Sequence, residues 1–333
     1  MTTLSELPPP PPGRTGWPWT EGTPPAPATA PDGSEWPRIT LVTPSYNQGR
    51  YIEETIRSVL LQGYPNVEYV VFDGGSTDET VEILRRYDRW ITRWASERDR
   101  GQTHAIAKGL DAATGDLFNW INSDDQLTPG ALQEVGRVWA PGRPHLVVGR
   151  CLTVDADDRG VVHEWLPRAP RRPTDFLKPD AVILAQPSTY LDTAMLREIG
   201  GVREELHYVM DWELYLRMTL RLRGRLRSAE TMELLSTALA HPDAKTTAHP
   251  AEFGREARRV VRENRREWRP GEWITMASRL RRMEAHAAVG DALTGAAHPL
   301  PPIALLPFRY PDVVWSRFWW GGIRRALVRR GPH

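Results

Sequence analysis

One cysteine, Cys151, stands among 333 residues. It excludes an intramolecular disulfide and fits a reducing compartment. An excess of either charge is also missing: 43 basic residues face 42 acidic ones, a formal net of +1. Without a basic surplus there is no bulk electrostatic footprint for nucleic acid, and no such partner is expected. No run of about 18 apolar residues occurs, so no membrane-spanning helix is expected. The N-terminus has no basic segment followed by an apolar core and does not read as a secretory signal. These absences leave a cytoplasmic protein as the expectation. No Gly-x-Gly-x-x-Gly follows the first strand-like run, which argues against a dinucleotide-dependent oxidoreductase.

Proline is plentiful but unevenly placed. Residues 1–37 hold 11 of the 30 prolines, including the run Pro8 to Pro12. Such a segment buries too little to offset its ordering entropy, so 1–37 is expected to be a disordered or polyproline tail. Folded structure is expected from Ile39. Strand-like runs at Ile39–Thr43, Val67–Phe72, Ile91–Ser96 and Leu117–Ile121 alternate with helical segments. The first helix carries Ile52, Ile56, Val59 and Leu60 on one face. The second opens on a capping box, Ser76-Thr77-Asp78-Glu79, and runs to Tyr87. A third spans Gln102 to Ala113, and a fourth Pro129 to Trp139. This alternation implies an α/β domain with a mostly parallel sheet and helices on both faces.

Beyond about residue 145 the pattern is mixed. Strand-like pieces stand at Leu146–Val148, Thr189–Leu191 and Leu234–Leu239, with a helix from Asp211 to Leu222. From Pro250 to about Val289 the chain is arginine-rich and helical, with Val260, Val261, Trp268, Ile274 and Met276 as candidate core residues. The polar clusters Ser45-Tyr46-Asn47, Asp73, Glu97 to Asp99 and Asp124-Asp125 all follow strands, which gathers them on one sheet edge. Two adjacent carboxylates at a strand end suit a hard divalent cation that in turn holds a diphosphate. The alternative is a turn into the next helix, with Thr128 as its cap and Pro129 in its first turn.

The ordered motifs are Thr43-Pro44-Ser45-Tyr46-Asn47, Phe72 to Asp78, Glu97 to Gln102, Asn122-Ser123-Asp124-Asp125, Gln186-Pro187-Ser188-Thr189 and Met210 to Leu214. The series resembles the family 2 glycosyltransferases, inverting nucleotide-sugar-dependent enzymes of GT-A fold. The likeness covers 38 to about 247. It implies a GT-A-like Rossmann-type domain over 38–248, with 249–333 as a helical C-terminal extension. It further implies a nucleotide diphosphate sugar donor, a glycan, lipid-linked or small-molecule acceptor, and Mg²⁺ or Mn²⁺.

Carried over by position, Pro44, Ser45, Tyr46 and Asn47 would cradle the nucleoside and Asp73 would accept hydrogen bonds from it, with Asp99 a second candidate. Gly101, Gln102 and Lys108 would run along the donor phosphates and sugar. Asn122 and Ser123 would line the donor side, and Asp124 would hold the metal, with Asp125 and His241 as further ligand candidates. Lys245 and Thr246 follow His241 in the same stretch. Gln186 and Trp212 would face the acceptor. Asp211 would be the general base, and also reads as a helix N-cap. Gly74, Asn122 and Met210 stand where the family often carries acids, which keeps open a silent nucleotide-sugar-binding or scaffold protein. The tail Leu305 to Arg330 sets six arginines against one acid among aromatics. It reads either as packing on the domain or as a peripheral contact with a membrane face.

Overall fold

The structure, a computed structural model, describes residues 1–140, 142–177, 184–241, 250–278 and 281. The chain divides into two units, Met1–Arg172 with Val182–His241, and Pro173–Ala181 with Pro242–His333. Lys245, Thr246 and the tail Leu305 to Arg330 lie outside the described residues.

Among the described residues the larger unit is built on one nine-stranded sheet. Its strands are β1 (Ile39–Ser45), β2 (Val67–Asp73), β3 (Arg93–Ser96), β4 (Leu117–Trp120), β5 (Gln126–Leu127), β6 (Leu146–Asp155), β7 (Val161–Trp165), β8 (Thr189–Asp192) and β9 (Ser228–Ala240). Their order is β3-β2-β1-β4-β8-β6-β9-β5, with β7 beside β6. The first four strands are parallel, as the strand–helix alternation implies. β8 then joins antiparallel to both β4 and β6. The helices are α1 (Gly49–Leu60), α2 (Thr80–Tyr87), α3 (Gln102–Ala112), α4 (Ala131–Trp139), α5 (Thr193–Glu198) and α6 (Met210–Arg221). Ile39, Leu41 and Val42 of β1 are buried without exception, as a strand covered on both faces requires. Cys151 is buried on β6, and burial pushes its thiol up to about 12, which leaves it inert.

Residues 1–37 do not form a disordered tail. They lie against the domain, with Leu7, Trp19, Ala26, Ala30 and Trp36 buried. The physical reason is a charged anchor that composition alone does not reveal. Arg57, fully buried in α1, donates to the carbonyls of Pro8, Pro18 and Trp19 and to the Tyr87 hydroxyl. Prolines lack N–H donors but keep their carbonyls, so a proline-rich arm suits an arginine that needs acceptors. Trp17 and Trp36 add indole bonds to the carbonyls of Leu127 and Pro27.

Two expected caps do not form. Ser76 turns back to Asp73, so α2 starts at Thr80, whose amide donates to Asp78. The Thr128 hydroxyl donates to the Leu234 carbonyl, and α4 starts at Ala131 after Gly130 at φ 76°. In the smaller unit α7 (Pro250–Glu263) is the main described helix. Val260, Val261, Trp268 and Met276 are buried there, whereas Ile274 is exposed and is no core residue.

Candidate functional site

Parallel register sets the strand ends side by side. Ser45 pairs with Asp73, and Asp73 with Ser96. β4 runs beside β1 and ends at Trp120, after which Ile121 still donates to the Val42 carbonyl. The loops after β1, β2, β3 and β4 therefore open on one edge, as their positions in the sequence imply.

In the first of these loops, Tyr46 is 61% exposed and its ring is open to a flat ligand. Asn47, at φ 51°, is a brace between loops. Its amide donates to Ser76, and its side-chain oxygen accepts from Thr77. Ser45 is buried, and its hydroxyl finds no partner among the described residues. Pro44 contributes its carbonyl, which accepts from Ser123.

Asp73 is not placed as a nucleoside acceptor. Its carboxylate takes the amides of Gly75 and Ser76 and the hydroxyls of Ser76 and Ser96. Buried and carrying four donors, it shapes the turn. Asp99 stands against the turn instead. A Cβ on Gly74 would come within 3.1 Å of the Asp99 Oδ1, so glycine at 74 leaves that carboxylate its space. Asp99 also accepts from the Gly101 amide at 2.8 Å. Arg100 pairs with Glu204 rather than with Asp99. Lys108 pairs with Glu97 at 2.5 Å, over the ring of Phe72, at the end of β3.

The loop after β4 is tied down at every residue. Gln102 donates to Asn122 at 2.6 Å, and Asn122 donates to Asp125 at 2.9 Å. Asp125 is turned inward: burial, then the neighbouring charge of Asp124, pushes its carboxyl well above the usual range. Hydrogen bonds from Asn122 and the Leu239 main chain only partly offset this. Asp124 faces the other way. Its Oδ2 lies 3.0 Å from His241 Nε2, with the Asp124 side chain 23% exposed and the imidazole 6%. Tyr51 packs against that imidazole at a tilt of 33°, with ring centroids 5.3 Å apart.

Two adjacent residues of α3 join this loop to α6. Gln102 bonds Asn122, while Thr103 donates to the Leu206 carbonyl and meets the Met210 sulfur at 2.9 Å. Asp211 follows Met210 in the first turn of α6, inside the helix rather than at its cap, which is Val209. Its Oδ1 accepts from the Trp212 amide at 2.7 Å. Burial raises the Asp211 carboxyl above its ordinary value, and the amides of Trp212 and Asp211 itself hold it back in part. Trp212 is half-buried beside it. Gln186 is not free for an acceptor through its amide nitrogen, which donates to Asn119 and to the Trp120 carbonyl. Its buried Oε1 is the atom without a partner among the described residues.

Among the described residues no group of three or more His, Cys, Asp or Glu side chains could hold a metal by itself. Asp124 and His241 offer one oxygen and one nitrogen, a donor set that fits a divalent cation completed by phosphate oxygens and water. Two residues not among the candidate site residues shape the edge. Asp78 accepts from Gly49 and Thr80, so it tethers the starts of α1 and α2. Thr55 reaches the loop of Asp124 from α1. Asp78 was readable as a cap residue after a turn, while Thr55 carried no local signal.

Residues 40–200 match the family described as Glycosyl transferase family 2. A relative from Bacillus subtilis, the putative teichuronic acid biosynthesis glycosyltransferase TuaG, is 36% identical over 29% of this chain and 40% of its own length. The chain spans 63% of an uncharacterized Mycobacterium tuberculosis relative, so it covers less than two thirds of either. S. aureus TarS 1–349, in a crystal structure with UDP-GlcNAc, superposes with a TM-score of 0.58 at 17% identity, covering 88% of each chain. The mannosyltransferase PcManGT from Pyrobaculum calidifontis, in complex with GDP-Man and Mn²⁺, superposes at 0.54 with 20% identity, over 88% of this chain and 85% of its own. The fold is thus that of the GT-A glycosyltransferases.

Proposed function

We propose that this chain transfers a sugar from a nucleotide diphosphate sugar to a hydroxyl acceptor, with inversion at the anomeric carbon. The observation that carries the reading is the first turn of α3, which touches both Asn122, two residues before Asp124, and Met210, directly before Asp211. A donor-side acid and an acceptor-side acid are thereby held to one structural joint. The acceptor oxygen attacks the anomeric carbon, the bond to the β-phosphate oxygen breaks, and the nucleoside diphosphate leaves. Asp211 takes the acceptor proton. A carboxylate whose affinity for a proton is raised by burial is better matched to that task than an exposed one.

Asp124 and His241 would hold Mg²⁺ or Mn²⁺ together with the diphosphate, and the cation would supply charge neutralisation to the leaving group. Support comes from the neighbour with Mn²⁺ and from the outward-facing Asp124. Tyr46 and Asp99 are the groups left available to the nucleoside once Asp73 is committed to its turn. A polysaccharide or cell-wall glycan, lipid-linked or free, is the acceptor class we favour, on the name of the Bacillus relative. Among the described residues no helix is long and apolar enough to cross a membrane.

The test is Asp211→Asn. It is expected to bind UDP-GlcNAc or GDP-mannose with Mn²⁺ as the unaltered chain does, judged by thermal shift, and to lose transfer by at least about a hundredfold. Turnover within a few-fold of the unaltered chain would remove Asp211 from the mechanism.

A further inference from the structure

Thr55 is a buried threonine in the middle of α1. A threonine within a helix commonly returns its hydroxyl to the carbonyl four residues back. The Thr55 hydroxyl leaves the helix instead. It lies 2.9 Å from the Ser123 carbonyl and 2.8 Å from the Asp125 carbonyl, one proton shared between two acceptors. These carbonyls flank Asp124. One turn further along α1, Ser58 accepts from the Leu127 amide at 3.1 Å and donates to the Thr55 carbonyl at 2.8 Å. From the opposite side Ser123 donates to the Pro44 carbonyl of β1 at 3.1 Å. The segment from Ser123 to Leu127 is therefore clamped between α1 and β1, with Thr55 bridging the carbonyls of the residues before and after Asp124.

We propose that Thr55 is a positioning residue for the cation and diphosphate site at Asp124. It touches neither ligand. By holding the carbonyls of the two neighbouring residues, Ser123 and Asp125, it sets the direction in which the Asp124 carboxylate leaves the backbone toward His241 Nε2. The inference rests on the reading of Asp124 given above. Groups that orient a metal ligand through hydrogen bonds commonly change metal affinity by about 10- to 100-fold when removed. A shared hydroxyl proton places Thr55 at the lower end of that range.

The experiment uses the full chain, Thr55→Val and Thr55→Ser. Valine keeps the branched shape and removes the hydroxyl, and serine keeps the hydroxyl. Binding of Mn²⁺ in the presence of UDP or GDP is followed by the loss of the free Mn²⁺ signal in electron paramagnetic resonance. It is measured well below each variant's unfolding temperature, so every molecule counted is folded. The valine variant is expected to bind about tenfold more weakly, and the serine variant within about twofold of the unaltered chain. A purely structural hydroxyl would lower the unfolding temperature and leave the affinity of folded protein unchanged, and that result overturns the proposal. Should the valine variant fail to fold, Thr55→Cys takes its place with the same two outcomes. If the unaltered chain takes up no Mn²⁺ with either nucleotide, the reading of Asp124 as a cation ligand itself falls, and the role of Thr55 with it. That failure is distinct because it is seen before any substitution.

Discussion

Replacing Arg57 tests whether the N-terminal arm is part of the folded domain. The guanidinium donates at 2.8 Å to the Pro8 carbonyl, at 3.0 Å to those of Pro18 and Trp19, and at 2.9 Å to the Tyr87 hydroxyl. It also sits 5.3 Å from the centre of the Trp19 ring. Hydrogen bonds to a charged group contribute roughly 1.5–3 kcal/mol each. Four would sum to well above the real loss, because carbonyls released from the arm regain water. Three of the four acceptors belong to the arm, so the loss is bounded by what docking of the arm contributes. Arg57→Leu is expected to cost about 3 kcal/mol, in line with breaking a buried charged network from one side. At about 2–4 °C per kcal/mol for a large domain, unfolding should fall by about 6–12 °C. Limited proteolysis should then cut before Trp36 at protease levels that leave the unaltered chain intact. Arg57→Lys should recover little, since an ammonium cannot present a planar fork to separate acceptors. A Leu variant that melts within a degree of the unaltered chain, with its arm still protected, would refute the anchoring argument.

Other consequences are simpler to state. Burial by itself would push the Glu68 carboxyl up, but hydrogen bonds from Thr40 and Thr114 and the charge of Arg38 outweigh it and hold it below the ordinary glutamate value. Its contribution to stability is therefore complete above the unfolded value of about 4.3 and fades as pH falls toward the lower folded value. Denaturation midpoints between pH 6 and 3 should show that loss in the unaltered chain and a flatter profile in Glu68→Gln. Gly109 of α3 faces Val42 of β1, and a Cβ there would lie 2.6 Å from one γ carbon and nearer still to the other. Gly109→Ala should gain helix propensity yet lose about 1–3 kcal/mol to overpacking, read as a lower midpoint in urea. A more stable alanine variant would show that α3 can shift away from the sheet.

Much of this protein was determined by the sequence alone. Short, β-branched runs such as Ile39 to Thr43 read as strands covered on both faces, and their alternation with helices admits a parallel sheet with loops at one edge. That edge follows from local pattern and chirality, so Ser45, Asp73 and Asp124 could be placed on it without coordinates. What each side chain does there could not. Asp73 and Asp124 are both aspartates after strands, yet one carries four donors in its own turn and the other faces a histidine 117 residues away. Lys108 pairs with Glu97, while the expected cap at Ser76 bonds Asp73 in its own turn and that at Thr128 bonds a carbonyl of β9. The proline-rich arm shows the same limit, since its order comes from Arg57 in a distant helix. Hydrophobic periodicity is written along the chain, because it reports burial one residue at a time. Hydrogen-bond partnership is decided between segments that meet only after folding, so Thr55 and Arg57 become visible only in three dimensions.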